Sequence, residues 1–321
     1  MIEVKNLSKS YGAKKALDNI SFTVSDGEIL GFLGPNGAGK TTTMNIITGY
    51  LSASYGSAVI DGVDVLNDPI SVKKDLGYLP EQPPLYLDMT VDEYLGFVYS
   101  LKKCRFPKRS HFEEICALTG TEEVRKRVIR NLSKGYRQRV GLAQALIGNP
   151  KAIILDEPTV GLDPKQIIEI RSLIKKLGKN HTMILSSHIL PEVQAVCDKI
   201  VVINNGKIVA DDTADNLSKT LSGDYRLTMR IEGSQREVLA LLEQIPDINE
   251  VRALRETEKN VWEYELTPKA GKDVRREVFK RLAERRLPIL LMRESDLSLE
   301  EIFLKLTTGD YYGEDFGEEQ K

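Results

Sequence analysis

The stretch EILGFLGPNGAGKTTTMNIITGY, residues 28–50, restricts the fold more than any other part of the chain. A short apolar run passes directly into a glycine-rich loop, and the loop into a helix-patterned segment that ends near Gly49. Gly34 to Thr41 reads G-x-x-x-x-G-K-[ST], and it sits where that pattern has physical meaning, between a buried strand and a helix. Gly34, Gly37 and Gly39 let the backbone turn its N–H groups inward around a β-phosphate. Lys40 adds a cation that reaches the β- and γ-phosphates. Thr41 offers a hydroxyl to Mg²⁺, and the helix points its positive end at the same charge. The whole run Gly34, Pro35, Asn36, Gly37, Ala38, Gly39, Lys40, Thr41 and Thr42 is therefore the expected contact for a nucleotide's phosphates.

Around this loop, strand and helix patterns alternate. IEVKNLSKSYG alternates as a strand, and Asp26-Gly27, Asp61-Gly62 and Asn205-Gly206 each read as the turn of a hairpin. From about Leu85 to Pro150 the pattern is mostly helical. AIILD (152–156) and TMILSSH (182–188) are wholly apolar or nearly so, as expected of strands buried on both faces. Between them, DPKQIIEIRSLIKKLG predicts a helix with Asp163 as its cap, Pro164 at its first position and Gly178 at its end. This order predicts an α/β fold of the P-loop type, a mainly parallel sheet with an antiparallel part at the front. The expected first domain is 1–218, with a helical subdomain at about 85–150. Residues 219–311 read β-α-β-β-α-β and a last helix in SLEEIFLKLT, which predicts a small ferredoxin-like α+β domain. The acidic residues 312–321 read as a disordered tail.

Two further stretches carry chemistry. AIILDEPT places Asp156 and Glu157 at the carboxyl end of a buried strand, where open α/β sheets bind ligands. Asp156 is the expected holder of Mg²⁺, and Glu157 the expected base beside the γ-phosphate. His188 follows the next apolar strand and should emerge on the same rim, to hydrogen-bond the γ-phosphate or the attacking water. The third stretch, NLSKGYRQRVG at 131–141, looks like part of another phosphate site.

With 45 Lys and Arg against 47 Asp and Glu, charge gives no argument for nucleic acid as a partner. The basic run KKCRFPKR, Lys102 to Arg109, reads as a solvated helix end. Cys104, Cys116 and Cys197 fit no zinc or redox spacing, which suits a reducing cytoplasm. No signal core and no apolar stretch of spanning length is present, so any membrane role is expected through a partner protein.

The ordered motifs GPNGAGKT, LPEQPP, LSKGYRQR, ILDEPT, GLDP and SSH resemble the ATP-binding subunit of ABC transporters over residues 1–215. The subgroup serving ABC-2-type permeases is most similar, since LSKGYRQR and the SLEEIF ending occur there too. The resemblance implies an ATP- and Mg²⁺-dependent motor, an exporter, lying in the cytoplasm against the inner face of the cell membrane. Its partners would be an integral-membrane permease and a second ATPase subunit, a copy of itself or a paralogue. It further implies that Tyr11 stacks on adenine and that Gln82 touches Mg²⁺ or the attacking water and senses the permease. Ser133 and Gly135 would touch the γ-phosphate held by the other subunit's loop, and Asp163 would cross the interface as well as capping its helix. The sequence departs from the family's commonest LSGGQ at Lys134 and Tyr136. Lys134 would add a charge near the γ-phosphate or simply face water.

Overall fold

The computed structural model describes residues 1–214, 216–217, 226–269, 271–295 and 303. The chain divides into two compact units, one running from Met1 to Thr213 and the other beginning at Ala214.

The first unit is built on a six-stranded sheet. Its strands, in spatial order, are β10 (Lys207–Asp212), β9 (Lys199–Asn204), β3 (Ile29–Leu33), β8 (Thr182–Ser187), β7 (Ala152–Asp156) and β6 (Leu76–Leu79). All neighbours are parallel except β9 and β10, which form a hairpin. Both faces of this sheet are covered, which is why β3, β7 and β8 are buried along their whole length. Side chains alternate between the two cores. Leu79, Ile153, Leu155, Met183 and Leu185 pack toward α3 (Val91–Leu101), α4 (Lys108–Thr119) and α5 (Lys134–Leu146). Leu30, Phe32, Ile154, Ile184 and Val201 pack instead on a second, antiparallel sheet. That sheet has the order β2 (Lys14–Val24), β1 (Ile2–Tyr11), β4 (Tyr55–Ile60), β5 (Val63–Asp64).

Of the three expected hairpins, two form. At Asp61-Gly62 and Asn205-Gly206 both central residues have positive φ, as the tight primed turns require. The expected hairpin at Asp26-Gly27 does not form. Only Gly27 has positive φ there, and the turn carries the chain from one sheet to the other. The burial patterns give the reason. In β2 buried and open positions alternate, which suits a one-sided antiparallel sheet; β3 has no open position and needs neighbours and cover on every side.

Within the helical part, α3 begins with a capping box between Thr90 and Glu93. The expected helix after GLDP is α6 (Pro164–Leu177), with Asp163 accepting from Gln166 N at 2.9 Å. One residue of the basic run departs from the expectation of a solvated end. Lys102 Nζ donates to Leu76 O and to Ile147 O, both at 3.0 Å, and burial pulls its ammonium down to about 8.

In the second unit the described elements are β11 (Arg226–Glu232), α8 (Gln235–Leu242), β12 (Ile248–Glu258), β13 (Val261–Pro268), α9 (Arg275–Glu284) and β14 (Ile289–Ser295). The sheet order is β12-β13-β11-β14, antiparallel throughout. One face of the sheet, with Leu227, Met229, Ile231, Tyr264 and Leu266, packs on Val238, Leu242, Val278 and Leu282 from the two helices. The SLEEIF segment apart from Phe303, the boundary near 218 and the acidic tail lie outside the described residues.

Candidate functional site

The carboxyl ends of the parallel strands converge on one rim. After β3 the chain enters the loop Gly34–Gly39, then α1 (Lys40–Ile47). Gly39 holds φ of 116°, in the region that only glycine enters readily. A Cβ on Gly34 would lie 2.4 Å from Ile203 O, so the loop's first glycine is required by β9 behind it. Lys40 is buried, its ammonium donating to Gly34 O at 2.8 Å and to Pro35 O at 3.3 Å. Ala38 is buried in the loop, and its carbonyl accepts from Gly206 N at 2.9 Å.

A cavity of about 630 Å³ opens here. Asn36, Gly37, Gly39, Lys40, Thr41 and Thr42 form its floor, with Tyr11 on one side and Glu157 and His188 on the other. Glu157 stands 3.5 Å from Lys40 Nζ, and His188 Nδ1 lies 2.9 and 3.0 Å from its two oxygens. With Nδ1 protonated, His188 donates to both. His188, expected to reach the γ-phosphate or the attacking water, is here placed to orient Glu157. Glu157 itself has φ of 49°, a left-handed conformation that costs a non-glycine residue about 1 kcal/mol.

Asp156, at the end of β7, is 1% exposed, and neither of its carboxylate oxygens has a hydrogen-bond partner among the described residues. Burial raises its pKa, and the like charges of Glu157 and Glu81 push the same way; the Ser186 and Thr41 hydroxyls only moderate the rise. A buried, unanswered carboxylate beside a threonine hydroxyl is a fitting donor set for a hard divalent cation. The described residues hold no group of three His, Cys, Asp or Glu arranged as a metal site. A cation held by Asp156 and Thr41 would therefore complete its shell with phosphate oxygens and water.

The loop after β6 also borders the cavity. Glu81 lines the cavity, whereas Gln82 is exposed and outside the lining. Successive residues at this bend project in different directions, and spacing alone could not say which of the two faces inward. Lys14, Lys15 and Asn205 also line the cavity and carried no motif of their own. The lysines follow Tyr11 in the same hairpin, and Asn205 is the turn residue that brings Gly206 against Ala38.

Ser133, Gly135 and Asp163 are not part of this cavity. They line a separate one of about 440 Å³, together with Tyr136, Arg139 and Gln166. Ser133 caps α5, its hydroxyl accepting from Tyr136 N at 3.4 Å. Tyr136 packs half-buried against the helical core. Lys134 is exposed to water, the second of its two expected places. Its ammonium lies against Gly161, where an added Cβ would come within 1.9 Å of Nζ.

Residues 17–160 match the family described as ABC transporter. The chain is 32% identical over 315 residues to the bacitracin transport ATP-binding protein BcrA of Bacillus licheniformis, covering 98% of this chain and 99% of that one. It is 30% identical over 311 residues to the linearmycin resistance ATP-binding protein LnrL of Bacillus subtilis, covering 96% and 98%. Among solved structures it resembles the dimeric ABC transporter cassette MJ0796, with a TM-score of 0.62 and 26% identity over 66% of this chain and 98% of that one. The same cassette is known in a post-hydrolysis state bound to ADP and Pi, with the same score and coverage. Among the described residues no helix is long and apolar enough to cross a membrane. The fold, the phosphate loop and its acidic rim, and likeness along nearly the whole chain lead to one conclusion: the protein belongs to the ATP-binding subunits of ABC transporters, and it is an ATPase.

Proposed function

We propose that the protein is the motor of an exporter, and that two ATPase subunits close head to tail around two Mg·ATP to drive a separate ABC-2-type permease. The observation that carries this reading is the separation of the two cavities. Lys40, Glu157 and His188 line one; Ser133, Gly135 and Asp163 line another that has no phosphate loop of its own. A chain with two complementary halves of a phosphate site completes both by pairing with a second chain.

In this reading Tyr11, exposed at the cavity's edge, stacks on adenine. The loop from Gly34 to Thr42 holds the phosphates, and Thr41 and Asp156 would hold Mg²⁺, which would supply positive charge against the phosphates. Glu157 takes the proton of the attacking water while His188 and Lys40 fix its carboxylate. Glu81, beside Asp156, shares the role first given to Gln82. Gln82 and the exposed aromatic surface that follows it face the permease. There Tyr86 and Phe97 are 50% and 40% exposed with rings 5.2 Å apart, and Leu101 is 70% exposed. The protein would then sit peripherally on the cytoplasmic face of the membrane. The first domain ends near 218, and the second, ferredoxin-like domain at 219–311 steadies the assembly. The names of the relatives support export: one serves bacitracin transport and another linearmycin resistance.

The test is the solution mass of Glu157→Gln with and without Mg·ATP. A monomer that becomes a dimer only with nucleotide, and less readily when Ser133→Ala is added, is the expected result. A mass that ignores nucleotide in the presence of the permease would overturn the head-to-tail reading.

A further inference from the structure

We propose that Glu192 is a positioning residue for ATP hydrolysis, its buried carboxylate bracing the loop that carries Glu157 against the strand end that carries His188. Glu192 lies in α7 (Leu190–Gln194), is 4% exposed and takes no part in lining the nucleotide cavity. Its Oε2 accepts a hydrogen bond from the Thr159 hydroxyl and lies 3.5 Å from Ser187 Oγ. Its Oε1 stands 3.7 Å from Arg171 Nη2 on α6. Thr159 is two residues beyond Glu157, and Ser187 immediately precedes His188; both are buried. One carboxylate therefore joins the Glu157 loop, the end of β8 and the helix that follows the loop.

Packing alone does not call for a carboxylate at this place. A side chain of similar volume without charge would fill the space at less desolvation cost. What the carboxylate adds is a directed acceptor for Thr159. Glu157 needs such support, because its left-handed backbone persists only where the surroundings over-determine it. On its near side Glu157 N is tied to Ser186 O at 3.0 Å. Thr159, held by Glu192, is the anchor on the far side. Release of that anchor would let the Glu157 carboxylate leave the place where Lys40 and His188 meet it.

The inference rests on Glu157 as the base, and the experiment separates the two. Full-length Glu192→Ala, Glu192→Gln, Thr159→Val and the double variant Glu192→Ala/Thr159→Val are compared for kcat and KM with Mg·ATP and for hydrogen exchange across residues 157–163. Misplacing a catalytic group costs much in rate and little in binding, so Glu192→Ala should lower kcat about tenfold and leave KM within about twofold. Thr159→Val should match it, the double variant should lose no more than either, and Glu192→Gln, which keeps an acceptor oxygen, should recover most of the rate. Exchange across 157–163 quickens in Glu192→Ala and Thr159→Val alike, a reading that does not depend on turnover. Wild-type exchange in Glu192→Ala, or a slow Glu192→Ala beside an unimpaired Thr159→Val, would overturn the brace. If Glu157→Gln hydrolyses ATP at the wild-type rate while exchange still quickens, the base assignment fails and the brace stands.

Discussion

Gly135→Ala isolates what the signature stretch is for. The residue lies in the first turn of α5, where replacing glycine by alanine ordinarily gains up to about 1 kcal/mol in helix propensity. Against this, the new Cβ would lie 2.5 Å from Gln166 Oε1 and 2.9 Å from its Nε2. The obstruction is the end of a flexible side chain, and moving it off its rotamer costs about 0.5–1.5 kcal/mol. The two effects offset each other to within about 1 kcal/mol, so the variant should melt within about 4 °C of the parent. Assembly responds differently. If Gly135 N–H reaches the γ-phosphate of a second subunit, the methyl group stands in the way of a charge-assisted hydrogen bond worth about 1.5–3 kcal/mol. A symmetric dimer loses two such contacts, so dimerisation should weaken on the order of 10²- to 10⁴-fold. The assay is sedimentation in the Glu157→Gln background with Mg·ATP, over a wide protein concentration range. Two results would refute the reasoning: dimerisation at the parent's concentration, or its recovery in Gly135→Ala/Gln166→Ala. The second would mean that glycine is needed only for packing against Gln166 in its own chain.

Asp156→Asn removes a charge that the fold itself does not answer. Because burial raises this carboxyl above its ordinary value, stability falls as pH rises from the ordinary carboxyl range through that raised pKa, and the whole penalty remains above it. Without Mg·ATP the variant should therefore melt above the parent at neutral pH, and with Mg·ATP it should neither hydrolyse nor gain the parent's stabilisation. For Lys102 the sign is the opposite of an ordinary ion-paired lysine. Its folded pKa, about 8, is below the 10.5 of an ordinary lysine, so the unfolded chain holds the extra proton between them and stability rises with pH over that window. Relative to Lys102→Met, the parent should gain melting temperature from about pH 8 to 10, since the neutral amine keeps two N–H donors for Leu76 O and Ile147 O. At the loop after β6, Glu81→Ala should change the Mg²⁺ concentration needed for half-maximal hydrolysis, whereas Gln82→Ala should not; equal effects would remove the distinction between the two residues.

What could be read from the sequence was what local chemistry decides. The Asn205-Gly206 and Asp61-Gly62 turns, the Asp163-Pro164 helix start and the Gly34–Thr41 loop each depend on a few adjacent residues, and each has the expected conformation. The structure also gathers Tyr11, Lys40, Glu157 and His188 at one cavity, because parallel strands must deliver their carboxyl ends to the same rim. Other features were not legible because they depend on distant partners. Asp26-Gly27 has the composition of a hairpin turn, but β3 is claimed by β8 and β9, more than 150 residues away in the chain. Lys102 sits in a basic run that looks solvated, yet carbonyls from residues 76 and 147 surround its ammonium. Glu192 matched no motif, since its meaning comes from Thr159 and Ser187, which meet it only in the folded chain.

The place of β3 in the sheet also sets a timetable for the protein's birth. This strand, which leads into the phosphate loop, pairs on one side with residues 183–187 and on the other with residues 199–202. On a ribosome adding roughly 5–20 residues each second, its five buried residues wait on the order of 10–30 s for those neighbours. Until then ILGFL is an unpaired apolar edge, the kind of surface that chaperones cover and that nucleates aggregation. ATP is of little help to the nascent chain, because the strand that leads into its loop lacks β9 on one side until about residue 202 has emerged. Nucleotide can therefore reward only a finished first unit. A truncated product should be recognised by proteases through its exposed β3, well before any loss of transport is felt.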